Sequence, residues 1–118
     1  MNTQLSLVKD FHVKFKVLVS EKPSLIPPDR SNLRYQLMRD EVEEYFQGVE
    51  RGDLENIAKE LGDILYAVYG TILEHGLQGK METIFEEVHR SNMSKEYSPT
   101  KMIKGPHYRK ADIQQFLF

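Results

Sequence analysis

Apolar residues recur at helical spacing along the first three quarters of the chain. They predict a first amphipathic helix over residues 3–16. The prolines between residues 20 and 30 end this helix and favour an extended connection. A second helix is then predicted from a cap at Ser31 or Asn32 to about Val49.

Two further helices follow. Asp53 is the predicted N-cap of the third helix, which ends near His75, before Gly76 and Gly79. A fourth helix is predicted over residues 80–91, where apolar residues again recur every three or four positions.

The chain beyond Asn92 has a different character. It has no sustained period, and it contains two prolines and a cluster of cations. We predict an ordered, irregular tail with a short hairpin near Lys101–Tyr108. No internal repeat and no βαβ pattern is present. The pattern therefore predicts one all-α domain over residues 1–118, a four-helix bundle with an irregular C-terminal tail.

Composition narrows the function classes. The chain has 118 residues, 40% of them hydrophobic, and 16 basic against 18 acidic side chains. This balance disfavours a strongly basic nucleic-acid binder. The absence of cysteine excludes disulfides and zinc–thiolate sites. No apolar run approaches the roughly 20 residues that span a bilayer, and the N-terminus lacks signal-peptide features. We expect a cytoplasmic protein without nucleic-acid or membrane partners.

Two carboxylates of the second helix lie where apolar residues are expected. On a helical wheel Glu41 and Glu44 fall within the apolar arc, whereas Glu43 points away from it. A carboxylate on an apolar face loses hydration, which is costly unless it meets a cation, a donor or a metal.

The third helix has a second acidic pair. Its segment from Leu61 to Leu73 contains a single charge, Asp63, and predicts a central helix or a subunit interface. Glu60 precedes Asp63 by three residues, so both side chains share one face. A short connection makes the second and third helices antiparallel neighbours, so the two acidic pairs can converge.

Four converging carboxylates need counter-charge, which a hard divalent cation such as Mg²⁺ supplies through oxygen ligands. Metal bridging of phosphates and activation of water are the chemistry of such sites. The alternative is that these acids pair with Arg34, Arg39 and Lys59, or are simply solvated.

The motifs resemble a known superfamily. DEVEE, fifteen intervening residues and ELGD resemble the E-E-x-x-E … E-x-x-D pattern of the all-α nucleoside triphosphate pyrophosphohydrolases. That superfamily includes the MazG proteins, the dimeric dUTPases and phosphoribosyl-ATP pyrophosphohydrolase. The segments KELGDILYAVYG, VHRSNMSK and KGPHY are most similar to small MazG-like or phosphoribosyl-ATP pyrophosphohydrolase-like proteins.

The resemblance implies that four residues hold Mg²⁺, with Mn²⁺ as a substitute: Glu41, Glu44, Glu60 and Asp63. Water would attack the α-phosphorus of a triphosphate and release a nucleoside monophosphate and pyrophosphate. Asp40 replaces the first glutamate of the family pattern, and we expect it to position water beside the catalytic Glu41 and Glu44.

Substrate contacts are predicted at four further positions. Asn92 and Lys95 match the N-M-S-K segment of the family, and Lys104 precedes Gly105 in KGPHY. Tyr66 lies one turn after Asp63, where it could stack on a base. The alternatives are a helix C-cap for Asn92, a solvated lysine at 104 and a core tyrosine at 66.

Several alternatives stay open at this point. The substrate is a nucleoside triphosphate, as in pool sanitation, or phosphoribosyl-ATP, as in histidine biosynthesis. A helical regulator that binds nucleotide without turnover keeps the same features. Glu86 and His89 form one E-x-x-H, whereas a ferritin-like di-iron bundle uses two. The largely apolar third helix and the resemblance both predict a homo-oligomer, a dimer or a tetramer.

Overall fold

The computed structural model describes residues 2–117, which form four α-helices and one short 3₁₀-helix. In chain order the elements are α1 (Thr3–Lys14), α2 (Pro28–Glu50), α3 (Leu54–Glu74), α4 (Met81–Met93) and a 3₁₀ turn at Gln114–Phe116. No β-strand occurs within residues 2–117. The prediction of an all-α protein with four helices is therefore confirmed.

The first helix starts and stops through local chemistry. The Asn2 side chain accepts a hydrogen bond from the Leu5 N–H at 2.7 Å and caps the N-terminus of α1. The helix ends at Lys14, two residues earlier than predicted. Lys16 has a positive φ of 57°, an uncommon conformation for a residue other than glycine, and it turns the chain out of the helix.

The start of α2 differs from the prediction. The helix begins at Pro28, so the predicted cap at Ser31 or Asn32 was wrong. Proline suits the first helical position because its φ is already helical and its missing N–H would have no helical partner there. The Ser31 N–H instead bonds to the Pro27 carbonyl at 3.0 Å, inside the first turn.

The boundaries of α3 agree with the prediction. The Asp53 side chain accepts a hydrogen bond from the Asn56 N–H at 3.1 Å, which confirms Asp53 as the N-cap. The helix ends at Glu74, and Gly76 follows with a φ of 69°. A Cβ at Gly76 would collide with the Lys22 backbone, so both conformation and space require glycine.

The fourth helix extends two residues beyond its predicted end, to Met93, with Ser94 as C-cap. Asn92 lies inside the last turn, so the alternative of Asn92 as a C-cap was wrong. The longer helix leaves the Ser94 N–H bonded to the Ser91 carbonyl at 3.1 Å.

The tail is irregular but hydrogen-bonded. Glu96 and Ile103 form an isolated antiparallel bridge, with N–H···O distances of 2.8 and 2.9 Å. The hairpin predicted near Lys101–Tyr108 was therefore misplaced, since the pairing joins residues 96 and 103. Pro106 lies inside the predicted segment and has no N–H to donate to a strand partner.

The chain forms two compact units, one up to Gln78 and one from Gly79 onwards. In the first unit α3 contacts both α1 and α2, as predicted for a largely apolar helix. The buried apolar side chains of this unit are Leu5, Val8, Ala67, Ile72 and Leu73. Among the described residues, no helix combines the length and apolarity needed to cross a bilayer.

Candidate active site

Four carboxylates converge between α2 and α3. Glu41 and Glu44 lie one turn apart on α2, and Glu60 and Asp63 lie one turn apart on α3. Each residue offers a carboxylate oxygen, and the four oxygens all lie within 4.8 Å of one another. We call these four residues the acidic cluster. The two i,i+3 pairs seen in the sequence thus meet in space.

A buried glycine allows the two helices to approach closely beside the cluster. Gly48 follows Glu44 by one turn of α2. A Cβ at Gly48 would lie 2.8 Å from the Asn56 side-chain nitrogen and 3.4 Å from the Ile57 side chain. A side chain at position 48 would therefore displace the Asn56 side chain next to the carboxylates.

The acidic cluster contains buried oxygens without partners. Glu60 is 5% exposed. One oxygen (Oε2) of Glu60 and one oxygen (Oε2) of Glu41 are buried, and neither has a hydrogen-bond partner. Buried polar atoms are normally paired, and an unpaired carboxylate oxygen is costly. The cost is removed if a cation binds between these oxygens.

Lys59 supplies part of the counter-charge. Its ammonium lies 2.6 Å from Asp63 and 3.7 Å from Glu60, as one sequence alternative anticipated. The Lys59 side chain is 66% exposed, so solvent screens its interaction with the cluster. One mobile surface cation does not balance four carboxylates.

Burial and the excess negative charge both shift the pKa of Glu41. Burial, the adjacent Glu60 carboxyl and repulsion from Glu44 and Asp63 raise the pKa of Glu41 from 4.5 to about 7. Near neutral pH the metal-free cluster therefore favours a proton on Glu41 far more than an isolated glutamate would.

A cavity of about 370 Å³ adjoins the cluster, with Glu41 and Asp63 in its wall. Phe11 and Tyr66 form an aromatic part of the wall and pack edge to face, with ring centroids 5.6 Å apart. The remaining lining residues are His12, Val17, Arg30, Leu33, Arg34, Leu37 and Ala67. This volume falls in the range of small-molecule pockets.

A second ionic cluster borders the same cavity and was missed in the sequence. Glu74 is fully buried and accepts two hydrogen bonds from Arg30, at 2.9 and 2.8 Å, and one from Arg34 at 3.1 Å. We call these three residues the arginine–glutamate cluster. The sequence held one sign of this cluster. Arg34 precedes Glu41 by two helical turns and therefore lies on the same face of α2. Arg34 thus pairs with Glu74 rather than with the acids of the cluster.

His12, which also lines the cavity, is a buried histidine with a hydrogen-bonded ring. It is 2% exposed, and its Nδ1 lies 3.0 Å from the Leu18 carbonyl. Burial lowers the pKa of His12, with a smaller opposing contribution from this hydrogen bond.

Two other predicted residues lie near the cluster. Tyr66 is 42% exposed and lines the cavity, so it is not a core tyrosine. Asp40 is exposed and lies 3.9 Å from the Arg39 guanidinium, outside the group of four converging acids.

The remaining predicted residues lie in the second unit. Asn92 is exposed on α4, and Lys95 is partly exposed just after the helix. The Lys104 ammonium stands 5.2 Å from the ring centroid of Tyr108, whose hydroxyl bonds to Ser91 at 3.3 Å. That bond and the nearby Lys104 and Lys95 lower the pKa of Tyr108. Lys104 therefore has a cation–π partner, whereas the alternative considered from the sequence was a lysine that contacts only solvent.

Residues 8–92 match a protein-family model described as phosphoribosyl-ATP pyrophosphohydrolase, and the matched range includes the whole acidic cluster. The chain belongs to this family. The phosphoribosyl-ATP pyrophosphohydrolase family lies within the MazG-like all-α superfamily, so the resemblance seen in the motifs is confirmed. A search of curated proteins found no match. The match ends at Asn92, and Lys95 and Lys104 lie beyond it.

Membership in the phosphoribosyl-ATP pyrophosphohydrolase family identifies a hydrolase that acts on a phosphoanhydride bond of a nucleotide. It is incompatible with the di-iron alternative based on Glu86 and His89. The family generally depends on a divalent metal, and the acidic cluster fits one. Its donors are carboxylate oxygens alone, which suit Mg²⁺ or Mn²⁺ rather than softer metals.

Proposed function

We propose that the protein is a Mg²⁺-dependent nucleoside triphosphate pyrophosphohydrolase that cleaves a (d)NTP to a (d)NMP and pyrophosphate. Its role would be to remove unwanted nucleotides from the cellular pool. One observation carries this proposal. The acidic cluster holds two unpartnered buried oxygens, and two of its residues, Glu41 and Asp63, line the adjoining cavity.

The four carboxylates of the cluster would hold Mg²⁺, with Mn²⁺ as a substitute. When bound, the metal neutralises phosphate charge and makes water a better nucleophile. Glu60 is buried and Glu44 is exposed, so the cluster has a closed side and an open side. Phosphate and water would approach from the open side.

The reaction adds water across the bond between the α- and β-phosphates. The water oxygen bonds to the α-phosphorus, the bond from that phosphorus to the bridging oxygen breaks, and pyrophosphate leaves with the bridging oxygen. We assign Asp40, which precedes Glu41 and is exposed, to hold the attacking water and accept its proton.

The cavity is our candidate for the nucleoside. Its aromatic wall, formed by Phe11 and Tyr66, offers a surface on which a base can pack. We assign Tyr66 to base contact and predict that Tyr66→Ala raises KM more than it lowers kcat. Asn92, Lys95 and Lys104 are assigned to sugar or phosphate through the NMSK and KGPHY motifs. For the two lysines we expect the same rise in KM on removal of the charge.

A second candidate function follows from the family model itself, which is described as phosphoribosyl-ATP pyrophosphohydrolase. Phosphoribosyl-ATP is also a triphosphate that releases pyrophosphate, so the acidic cluster serves both candidates equally. The two differ in what lies beyond the α-phosphate, and a substrate comparison separates them.

The test is pyrophosphate release from canonical and modified (d)NTPs and from phosphoribosyl-ATP, each with Mg²⁺ and with chelator. We expect at least one (d)NTP to be turned over in Mg²⁺ and none in chelator. Turnover of phosphoribosyl-ATP alone would support the histidine-pathway alternative. Nucleotide binding without any turnover would instead identify a non-catalytic regulator.

We also propose a homo-oligomer, a dimer or a tetramer, that covers apolar surface on α2 and α3. Five large apolar side chains on these helices are between 37% and 54% exposed: Leu37, Val42, Phe46, Leu61 and Leu65. Such surface favours association through a twofold interface. Light scattering at micromolar concentration tests this, since a mass near 13.8 kDa would contradict it.

A further inference from the structure

We infer that Arg34 is a positioning residue, which sets the register of α2 against α3 and so holds the acidic cluster together. It does not touch the reacting atoms. The inference rests on the proposed metal site, because that site defines what the register must achieve. Four observations carry it.

The first observation is the reach of the Arg34 guanidinium across α3. Its Nε donates to the Thr71 hydroxyl at 3.1 Å, its Nη1 to Glu74 at 3.1 Å, and its Nη2 to the Ala67 carbonyl at 2.8 Å. The three acceptors span two turns of one face of α3. A slip of one residue moves a helix by about 1.5 Å and rotates it by about 100°, so it would break all three bonds. We call this set of contacts the Arg34 clamp.

The second observation is a recess on α3 that receives the guanidinium. Gly70 lies between the acceptors Ala67 and Thr71, and a Cβ at Gly70 would collide with the Arg34 Nη2. Gly70 is helical and has no positive φ, so its conformation does not require glycine. The requirement is space, first for Arg34 and then for His12, whose Nε2 would lie 2.9 Å from that Cβ.

The third observation is the place of the clamp along the helices. Arg34 precedes Glu41 by two turns, and Ala67 follows Asp63 by one turn. At the other end of the cluster, Gly48 packs against Asn56 and Ile57. The acidic cluster therefore lies between two contacts that both depend on register.

The fourth observation is that the clamp is ionic although it is buried. Arg34 is 7% exposed and Glu74 is fully buried. Replacing a buried ion pair by apolar residues of similar volume is often neutral or stabilising, so a pair of this kind is weak evidence for stability. Fixing one register among several is the best-supported role of such groups. Here the register has a clear purpose, because four like charges on α2 and α3 repel one another and favour slippage or separation.

The test measures register and metal binding separately. The chain has no cysteine, so Glu43→Cys with Ala58→Cys places one spin label on exposed sites of each helix. Pulsed electron resonance on spin-diluted protein then gives the α2–α3 distance distribution without metal. Mn²⁺ affinity is measured by continuous-wave electron resonance on the unlabelled chain.

Arg34→Lys keeps the charge but cannot reach three acceptors at once. We expect it to broaden or shift the distance distribution and to weaken Mn²⁺ binding by about tenfold or more, the effect expected when groups that orient metal ligands are lost. Gly70→Ala, which retains Arg34 but blocks its recess, should act in the same direction. Arg51→Lys, an exposed site at the end of α2, is the matched control and should change neither quantity.

A purely structural role makes a different prediction. Val8→Ala removes buried apolar volume from α1 and should lower the melting temperature without changing the distances or the Mn²⁺ affinity. If Arg34→Lys behaves like Val8→Ala, the inference is overturned. If Arg34→Lys does not fold, Gly70→Ala and Thr71→Val decide on the same criteria. Failure of the wild-type chain to bind Mn²⁺ would remove the proposed function, whereas the distance distributions would still decide the role of Arg34.

Discussion

The acidic cluster and the arginine–glutamate cluster lie on the same pair of helices, yet their charges are arranged in opposite ways. In the arginine–glutamate cluster, both oxygens of the buried Glu74 accept hydrogen bonds from guanidinium groups. In the acidic cluster, Glu41 and Glu60 each retain a buried oxygen with no partner. The oxygens of Glu74 are thus fully hydrogen-bonded within the protein, whereas those of Glu41 and Glu60 are not. We call the arginine–glutamate cluster complete and the acidic cluster incomplete.

The comparison separates buried charge that maintains the fold from buried charge that awaits a ligand. A complete cluster gains nothing from an added ion, whereas the incomplete one lowers its energy when a divalent cation binds. The family match and the adjoining cavity agree with this assignment of the incomplete cluster. Neutralising one carboxylate should therefore lower the free energy of unfolding in the complete cluster and raise it in the metal-free, incomplete cluster.

The largest expected effect is on turnover. Asp63→Asn removes an anionic ligand from the incomplete cluster, and we expect it to lower kcat/KM by at least about a hundredfold, the upper range for groups that support a metal. Glu43→Gln is the matched control because Glu43 is exposed on α2 and lies outside the cluster. Steady-state pyrophosphate release checks both variants, and full activity of Asp63→Asn would remove the metal-site assignment.

The complete cluster should show its effect in stability. Glu74→Gln leaves two guanidinium groups without their buried counter-charge, and loss of one partner of a buried ion pair costs about 3–5 kcal/mol. Urea denaturation followed by circular dichroism measures this, with the exposed Glu50→Gln as control. An unchanged unfolding midpoint for Glu74→Gln would show that the cluster does not maintain the fold.

Neutralising one carboxylate of the incomplete cluster should instead raise the free energy of unfolding of the metal-free protein. Because the pKa of Glu41 in the folded protein is raised to about 7, the metal-free protein loses stability as pH rises from about 4.5 to 7. Glu41→Gln removes this dependence, and we expect a gain of about 1–2 kcal/mol at pH 8, reduced from the full shift by solvent screening. Urea denaturation in chelator at pH 5 and pH 8 checks both statements. A loss of stability at pH 8 would contradict them.

The smallest effect is expected at the Glu87–Arg90 ion pair in the second unit. Glu87 bonds to Arg90 at 2.7 Å and accepts the Asp112 N–H at 2.7 Å, and these contacts lower the pKa of Glu87 to about 2. Its contribution is present above about pH 4.5 and is lost as pH falls towards 2. Glu87→Gln should speed amide exchange at Asp112 with little change in global melting. The neighbouring Glu86→Gln should leave that exchange unchanged.

The comparison also explains what could be predicted from the sequence. The acidic cluster could be predicted because charges at i,i+3 spacing interrupt the apolar faces of two helices, and such interruptions are visible in the sequence. Its residues are Glu41, Glu44, Glu60 and Asp63. Glu74 ends an apolar run and looked like an ordinary helix terminus. Its partner Arg34 lies 40 residues away, and the position of Arg34 on the face of Glu41 does not identify Glu74 as that partner.

The predicted helix boundaries were wrong where more than one residue could start the helix. Ser31 and Asn32 are good caps, but Pro28 starts α2 first because its φ is already helical. The tail pairing at residues 96 and 103 depends on contacts between distant residues, which periodicity does not report. The all-α class could be predicted from helical periodicity alone. The residues that line the cavity could not, because three helices bring them together only in the folded protein.

Phosphorus NMR of the products of a single nucleoside triphosphate, incubated with the enzyme and Mg²⁺, shows which phosphoanhydride bond is cleaved. We expect signals of a nucleoside monophosphate and pyrophosphate in equal amounts, and neither signal with Asp63→Asn. The appearance of orthophosphate and a nucleoside diphosphate would contradict it.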